Sequence, residues 1–140
     1  MTIVIRPAGA ADRQPIFELA KSLATTFEPT ADGFATSFAE LIVRDNALLV
    51  VAEEAAQILG YLLAHSYAGL VANGRVCWIA EVTVHADRRR QGIGRQLMQS
   101  CEAWARERNV KLVALATRRA DAFYAALGYE ASATYFRKIV

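Results

Sequence analysis

The sequence predicts an α/β fold with the element order β-α-α-β-β-β-α-β-α-β-β. Three observations carry that prediction. Two neighbouring apolar runs, Ala47–Glu53 and Ile58–Tyr67, read as the strands of a hairpin. From Arg75 to Ala116 a strand, a glycine-bearing loop, an amphipathic helix and a second apolar run follow in turn, which is the pattern of a right-handed parallel crossover. Hydrophobic residues make up 54% of the 140, enough for a sizeable core and too many for a disordered chain. With no internal repeat, low-complexity segment or linker, residues 1–140 are expected to form one domain.

Each element has its own signal. Ile3, Val4 and Ile5 form a short strand stopped by Pro7. Asp12 suits a helix N-cap and Pro15 the first turn, after which Ile16, Leu19, Ala20 and Leu23 recur at helical spacing. Thr25 to Gly33 reads as a loop, and Phe34 to Arg44 as a second helix with Phe34, Phe38, Leu41 and Ile42 inward. Residues Glu54 to Gln57 turn the hairpin, and Asn73-Gly74 opens the strand Arg75–Val84. The helix from Gly94 to Arg108 carries Ile93, Leu97, Cys101, Trp104 and Ala105 on one face, with Glu102 and Arg106 paired outside. Leu112–Ala116 is wholly apolar, as expected of a strand covered on both faces. Arg119–Leu127 forms a short helix ended by Gly128. Tyr129 onward supplies one or two closing strands, including Tyr135–Val140.

Charge and cysteine content narrow the function. Sixteen basic and 14 acidic residues leave a net charge of only +2, less than a dedicated nucleic-acid binder carries. Cys77 and Cys101 lack metal-ligand spacing and sit in apolar runs, so buried free thiols are expected. No secretory leader or membrane-length apolar run is visible, which points to a cytoplasmic protein.

The positive charge is local. Val82-Thr83-Val84 leads into His85-Ala86-Asp87-Arg88-Arg89-Arg90-Gln91-Gly92-Ile93-Gly94, and a helix begins at once. Amides at a helix N-terminus lack partners and face whatever sits there. Gly92 and Gly94 carry no side chain to hold a phosphate away, and Arg89, Arg90 and Arg95 add charge. The loop is not a Walker sequence, since no Gly-Lys-Ser/Thr is present, and it lacks the third glycine of the dinucleotide fingerprint. A solvated basic turn is the plain alternative; the flanking strand and helix favour an anion site.

Arg89-Arg90-Gln91-Gly92-Ile93-Gly94 resembles the Arg/Gln-x-x-Gly-x-Gly/Ala motif of the GNAT superfamily of acyl-CoA-dependent N-acetyltransferases. Ala122-Phe123-Tyr124-Ala125-Ala126-Leu127-Gly128-Tyr129 resembles that family's Phe-Tyr-x-x-Leu-Gly-Phe/Tyr segment, and Ile5-Arg6-Pro7-Ala8 its opening. The resemblance spans the chain. It implies a GNAT-like fold: a central mixed, mostly antiparallel twisted sheet with a splayed parallel strand pair and about four flanking helices.

It also implies roles. Arg89, Arg90, Gln91, Gly92, Ile93, Gly94 and Arg95 would hold the pyrophosphate of acetyl-CoA, chiefly through backbone amides. Val82 and Val84 would bond the pantetheine arm where a bulge and splayed strands expose their backbone. Tyr124 would be the general acid that protonates the departing thiolate, since a phenol with a pKa near 10 is protonated at neutral pH; the same tyrosine also suits packing beside Phe123 and Leu127. Glu81, inside the apolar strand Trp78-Ile79-Ala80-Glu81-Val82, must face a cavity, a partner or water. It would serve as a base whose pKa burial raises, or as a structural hydrogen-bonding group. Thr117 stands where many members carry an asparagine that contacts the cofactor arm, and a hydroxyl replaces only part of that contact. His85 is read as structural or near the cofactor, and His65 as a strand residue.

In such enzymes the acceptor side comes from the first two helices and their connection. Here that places Phe27 and Phe34 as apolar walls and Glu28 and Asp32 as attractors of a cationic amine. The expected function is acetyl transfer from acetyl-CoA to a primary amine of a small molecule, by direct attack in a ternary complex. It requires no metal, no nucleic acid and no membrane; a homodimer is common in the family the chain resembles, and the sequence itself does not fix the oligomeric state. A protein lysine or N-terminal acceptor is the runner-up, and a non-catalytic acyl-CoA-binding sensor is the rival of another class.

Overall fold

Along β2 (Ala47–Glu54), Val50 and Ala52 face one side of a sheet and Leu49 and Val51 the other, and all four are buried. Successive strand residues point to opposite faces, so such a strand needs cover on both. A computed structural model, which describes residues 2–140, supplies it. Five strands lie in the order β1 (Val4–Pro7), β2, β3 (Gln57–Gly69), β4 (Gly74–Val84) and β5 (Val110–Leu115). The first four pair antiparallel and β4 with β5 parallel. The sheet is therefore mixed and mostly antiparallel, as the sequence predicts.

Helix α3 (Ile93–Glu107) covers one face. Its Ile93, Leu97, Met98, Cys101 and Ala105 are buried against Leu59, Leu62, Ala64, Cys77 and Ile79 of the sheet. Each large side chain so buried contributes about 1.5–3 kcal/mol relative to exposure. Helices α1 (Arg13–Leu23) and α2 (Ala31–Leu41) cover the other face, where Ile16, Leu19 and Phe38 meet Leu49, Val51, Tyr61 and Leu63. A fourth helix, α4 (Asp121–Ala126), follows β5. Cys77 and Cys101 are buried free thiols, as expected, with sulfurs 3.8 Å apart between β4 and α3.

Two irregularities shape the sheet. Opposite Ala52–Glu53, Leu59 is an extra residue in β3, and opposite Leu63–Ala64, Ala80 is an extra residue in β4. Each reverses the inward-outward alternation beyond it. Cys77 and Ile79 pack under α3; past the bulge Val82 and Val84 do so, and Glu81 turns to the α1–α2 face beside Tyr61. Gly60 lies where β3 and β4 approach so closely that a Cβ would stand 2.6 Å from the Thr83 carbonyl.

Several expectations need correction. Helix α2 begins at Ala31, not Phe34, because Thr30 Oγ1 accepts from the Gly33 N–H and caps it. Asp12 occupies the N-cap position of α1 but makes no capping bond. Its carboxylate accepts instead from the Arg6 guanidinium at 2.8 and 2.9 Å and from the Gly9 N–H. Glu102 does not pair with Arg106, because the Tyr129 hydroxyl donates to it at 2.7 Å. Strand β5 is an edge strand, not one covered on both faces, and Leu112 is exposed.

The predicted closing strands are absent. Residues 130–140 are exposed and pair with no strand, although Tyr135–Val140 is rich in strand-forming residues. Strand propensity is realised only against a partner, and here side-chain contacts place the segment instead. Tyr135 stands edge-on to Trp78, and Arg137 donates to Thr26 Oγ1.

Candidate active site

Parallel pairing between β4 and β5 ends at Ile79–Leu115, and β4 runs on to Val84 without that neighbour. The two strands part directly beyond the Ala80 bulge. A cleft of about 1390 Å³ opens there, reaching from the α1–α2 connection across β4 to the 88–95 loop and the start of α4.

The loop is built by left-handed turns. Arg90 (φ 62°) and Gly92 (φ 84°) reverse the chain, and Gly92 occupies the N-cap position of α3. Nothing lies within 4 Å of where a Gly92 Cβ would stand, so open space faces the first amides of the helix. A Gly94 Cβ would meet the Phe123 ring at 3.2 Å, which ties the start of α3 closely to α4. Arg88 is not free for a ligand. Its two terminal nitrogens donate to Glu54 at 3.0 and 3.2 Å and its Nε donates to Gln91. This fork anchors the loop to the β2–β3 hairpin. Arg89 Nε donates to the Val84 carbonyl at 3.3 Å, so that one backbone group of β4 already has a partner.

Glu81 accepts a 2.6 Å hydrogen bond from the Tyr61 hydroxyl through Oε1. Tyr61 is buried, and burial together with the carboxylate pushes its phenol pKa well up, so it remains a donor. Tyr124 is half-buried, edge-on to Phe123 and near Tyr129. Burial raises its pKa above the ordinary phenol value, which keeps it protonated at neutral pH. Thr117 Oγ1 accepts from the Ala120 N–H and so shapes the turn into α4, while its own O–H stays available.

The cleft brings together most of the residues singled out from sequence: Phe27, Phe34, Glu81, Val82, Val84, Arg89, Arg90, Gly92, Ile93, Gly94, Arg95, Thr117 and Tyr124. Gln91, Glu28 and Asp32 are exposed and do not line it. Asp32 falls in the first turn of α2 because that helix starts earlier than expected. His85 lies outside the cleft. Its N–H donates to the Leu59 carbonyl and its Nδ1 accepts from the Asp87 N–H, a structural place. His65 is a strand residue opposite Trp78.

Residues 14–129 match the family model described as the acetyltransferase (GNAT) family. The chain belongs to that family. No curated protein sequence matches it. Among solved structures it is similar to a transcriptional regulator from Bacillus halodurans (25% identity, TM-score 0.89, covering 99% of this chain and 100% of that one). It is similar also to glucosamine-6-phosphate N-acetyltransferase from Arabidopsis thaliana (21% identity, TM-score 0.87, 99% of each chain). A third is AAC(6')-Iy in complex with the bisubstrate analog CoA-S-monomethyl-acetylneamine (18% identity, TM-score 0.83, 100% of each chain).

As a GNAT member the chain is an acyltransferase by family. Four residues of its cleft escaped sequence reasoning: Tyr61, Arg118, Arg119 and Arg137. Tyr61 meets Glu81 only because of the bulge, and Arg137 arrives from a distant part of the chain. Neither leaves a local pattern to read.

Proposed function

We propose that this GNAT protein transfers an acetyl group from acetyl-CoA to the primary amine of a small molecule, by direct attack in a ternary complex. The observation that carries the reading is the parting of β4 and β5 beyond Ile79, which puts an open strand edge, the arginine-glycine loop, Glu81 and Tyr124 around one cleft.

The residues fit the donor. Unpaired amides at the start of α3, with Arg89, Arg90 and Arg95, suit a pyrophosphate, assisted by Gly92, Ile93 and Gly94, while Gln91, outside the cleft lining, accepts from Arg88 and shapes the loop. Backbone groups of Val82 and the Val84 N–H, on the side away from β3, suit the pantetheine amides, the Val84 carbonyl being held by Arg89, and the Thr117 O–H can donate to the same arm. Acetyl-CoA supplies an acyl group activated as a thioester. Glu81, oriented by Tyr61, takes the proton of the incoming ammonium directly or through water. The strand amides near Val82 polarise the acyl carbonyl. Tyr124 gives its hydroxyl proton to the departing thiolate. Phe27 and Phe34 form apolar walls on the acceptor side; the exposed Glu28 and Asp32 would act only by steering a cation from a distance.

The test is an amine panel read by release of free CoA, with thermal unfolding followed beside it. Acetyl-CoA at 100 times its Kd should stabilise the protein by about 2.7 kcal/mol. Stabilisation without CoA release from any amine would support the sensor reading instead, and release with peptides alone would point to a protein acceptor. Absence of both effects would end the acetyl-CoA reading. We also propose a cytoplasmic homodimer, supported by the unpaired outer edge of β5 with exposed Leu112; light scattering at micromolar concentration checks the dimer, and a monomer there would remove it. No helix among the described residues is long and apolar enough to cross a membrane.

A further inference from the structure

The side chains lining the cleft include a single carboxylate, Glu81, against seven arginines among the described residues. Six of those, Arg88, Arg89, Arg90, Arg95, Arg118 and Arg119, lie at or near the loop and the start of α4. Arg137 is the exception. It comes from the C-terminal segment and is held on Thr26, in the connection between α1 and α2.

Among the described residues Arg137, like every cleft arginine except Arg88, has no carboxylate partner. Arg6, Arg44 and Arg88 each face one or two carboxylates, whereas the side-chain partner of Arg137 is the neutral hydroxyl of Thr26. One of its five donors is used, and the rest remain for a planar, two-oxygen acceptor. An amine acceptor reaches this cleft as an ammonium ion. A guanidinium held at the α1–α2 connection, apart from the other six, repels an acceptor with positive charge only, and attracts one that also bears an anion.

We propose that Arg137, with Thr26, is an anion clamp for the acceptor, and that the substrate is an amine carrying a carboxylate or a phosphate. This rests on the acetyl-transfer reading above; within the cleft it sets Arg137, from the C-terminal segment, on the α1–α2 connection, whose Glu28 is exposed and outside the lining. The amino group then lies toward Glu81, and the anionic group lies out toward the α1–α2 connection.

Matched pairs test this: amino acids against their carboxamides, and amino-sugar phosphates against the unphosphorylated sugars, assayed by CoA release. The anionic member of at least one pair should have a kcat/KM tenfold or more above its neutral counterpart. Which pair shows it separates carboxylate from phosphate. Arg137→Ala should collapse that ratio to within twofold, mainly through KM, and Arg137→Lys should restore part of it. Far-UV circular dichroism checks that both variants are folded. Preference for neutral or polycationic amines, or an unchanged ratio in Arg137→Ala, would overturn the clamp while leaving acetyl transfer intact. If no amine releases CoA, the same pairs are compared by thermal stabilisation of the CoA-bound protein. A larger shift with the anionic amine that disappears in Arg137→Ala supports the clamp, and equal shifts overturn it.

Discussion

Tyr124 and Glu81 carry the two proton transfers of the proposed mechanism, and they are held differently. Tyr124 is positioned by packing, between Phe123 and Tyr129, and no side-chain hydrogen bond to its hydroxyl is present among the described residues. Tyr124→Phe should therefore keep the fold and the acetyl-CoA shift in melting temperature while lowering kcat by about 100-fold, the low end for loss of a general acid. Unchanged turnover would take Tyr124 out of the mechanism. Because burial raises its pKa, the acid form persists through neutral pH and is lost only above about pH 10. An alkaline fall in kcat below pH 9 that vanishes in Tyr124→Phe would contradict this. The tyrosine and the Arg89–Gly94 loop could be found by reading along the chain, because each belongs to a local pattern. Tyr61 could not. It lies 20 residues from Glu81, and their meeting depends on a bulge that no residue type announces.

At the scale of elements, turn chemistry leaves room for improvement. Residues Ala55 and Ala56 close the β2–β3 hairpin with φ of 50° and 65°, the conformation of a two-residue turn that asparagine and glycine adopt readily and alanine does not. Replacing the pair by Asn-Gly should stabilise the protein by about 1 kcal/mol, read as a raised denaturant midpoint at constant slope. The neighbouring Glu54 anchors the 88–95 loop through Arg88, so on the proposed reading Glu54→Gln should weaken acetyl-CoA binding several-fold although it lies outside the cleft. Calorimetric titration checks it, and an unchanged Kd would mean the loop holds its shape unaided. The existence of nine of these elements follows from apolar periodicity, and their ends shift where a side-chain cap such as Thr30 starts a helix ahead of its apolar stripe. The C-terminal strands failed for a deeper reason. Composition reports that Tyr135–Val140 would suit a sheet, but not whether an edge is offered to it.

For the whole molecule, one charged cluster ties the first strand to the sheet. Arg6 bonds both Asp12 and Glu53, and its guanidinium holds each carboxyl below the usual range. A carboxylate whose pKa is depressed by folding contributes its stability above the unfolded value. That contribution fades as the pH falls through the folded value. Stability should thus be level down to about pH 4 and decline below it. Asp12→Asn should lose about 2 kcal/mol at neutral pH and show a shallower acid decline, measured by urea unfolding across pH. An equally steep decline would assign the acid sensitivity elsewhere.

The extra residue in β4 has a genetic corollary. Inserted or deleted residues are usually tolerated in loops and resisted in strands because they break pairing. Removing Ala80 would do something more particular: Ile79 opposite Ala64 and Glu81 opposite Leu63 would become successive pairs, so Glu81 would keep the side of Tyr61 while the bend of the bulge, at the place where β4 leaves β5, would be lost. A three-nucleotide deletion there would flatten the strand while every side chain kept its face, whereas substitution of Ala80, which is exposed, would leave the bend itself intact. The identity of residue 80 is thus free to drift, whereas its presence sets the course of the strand past β5.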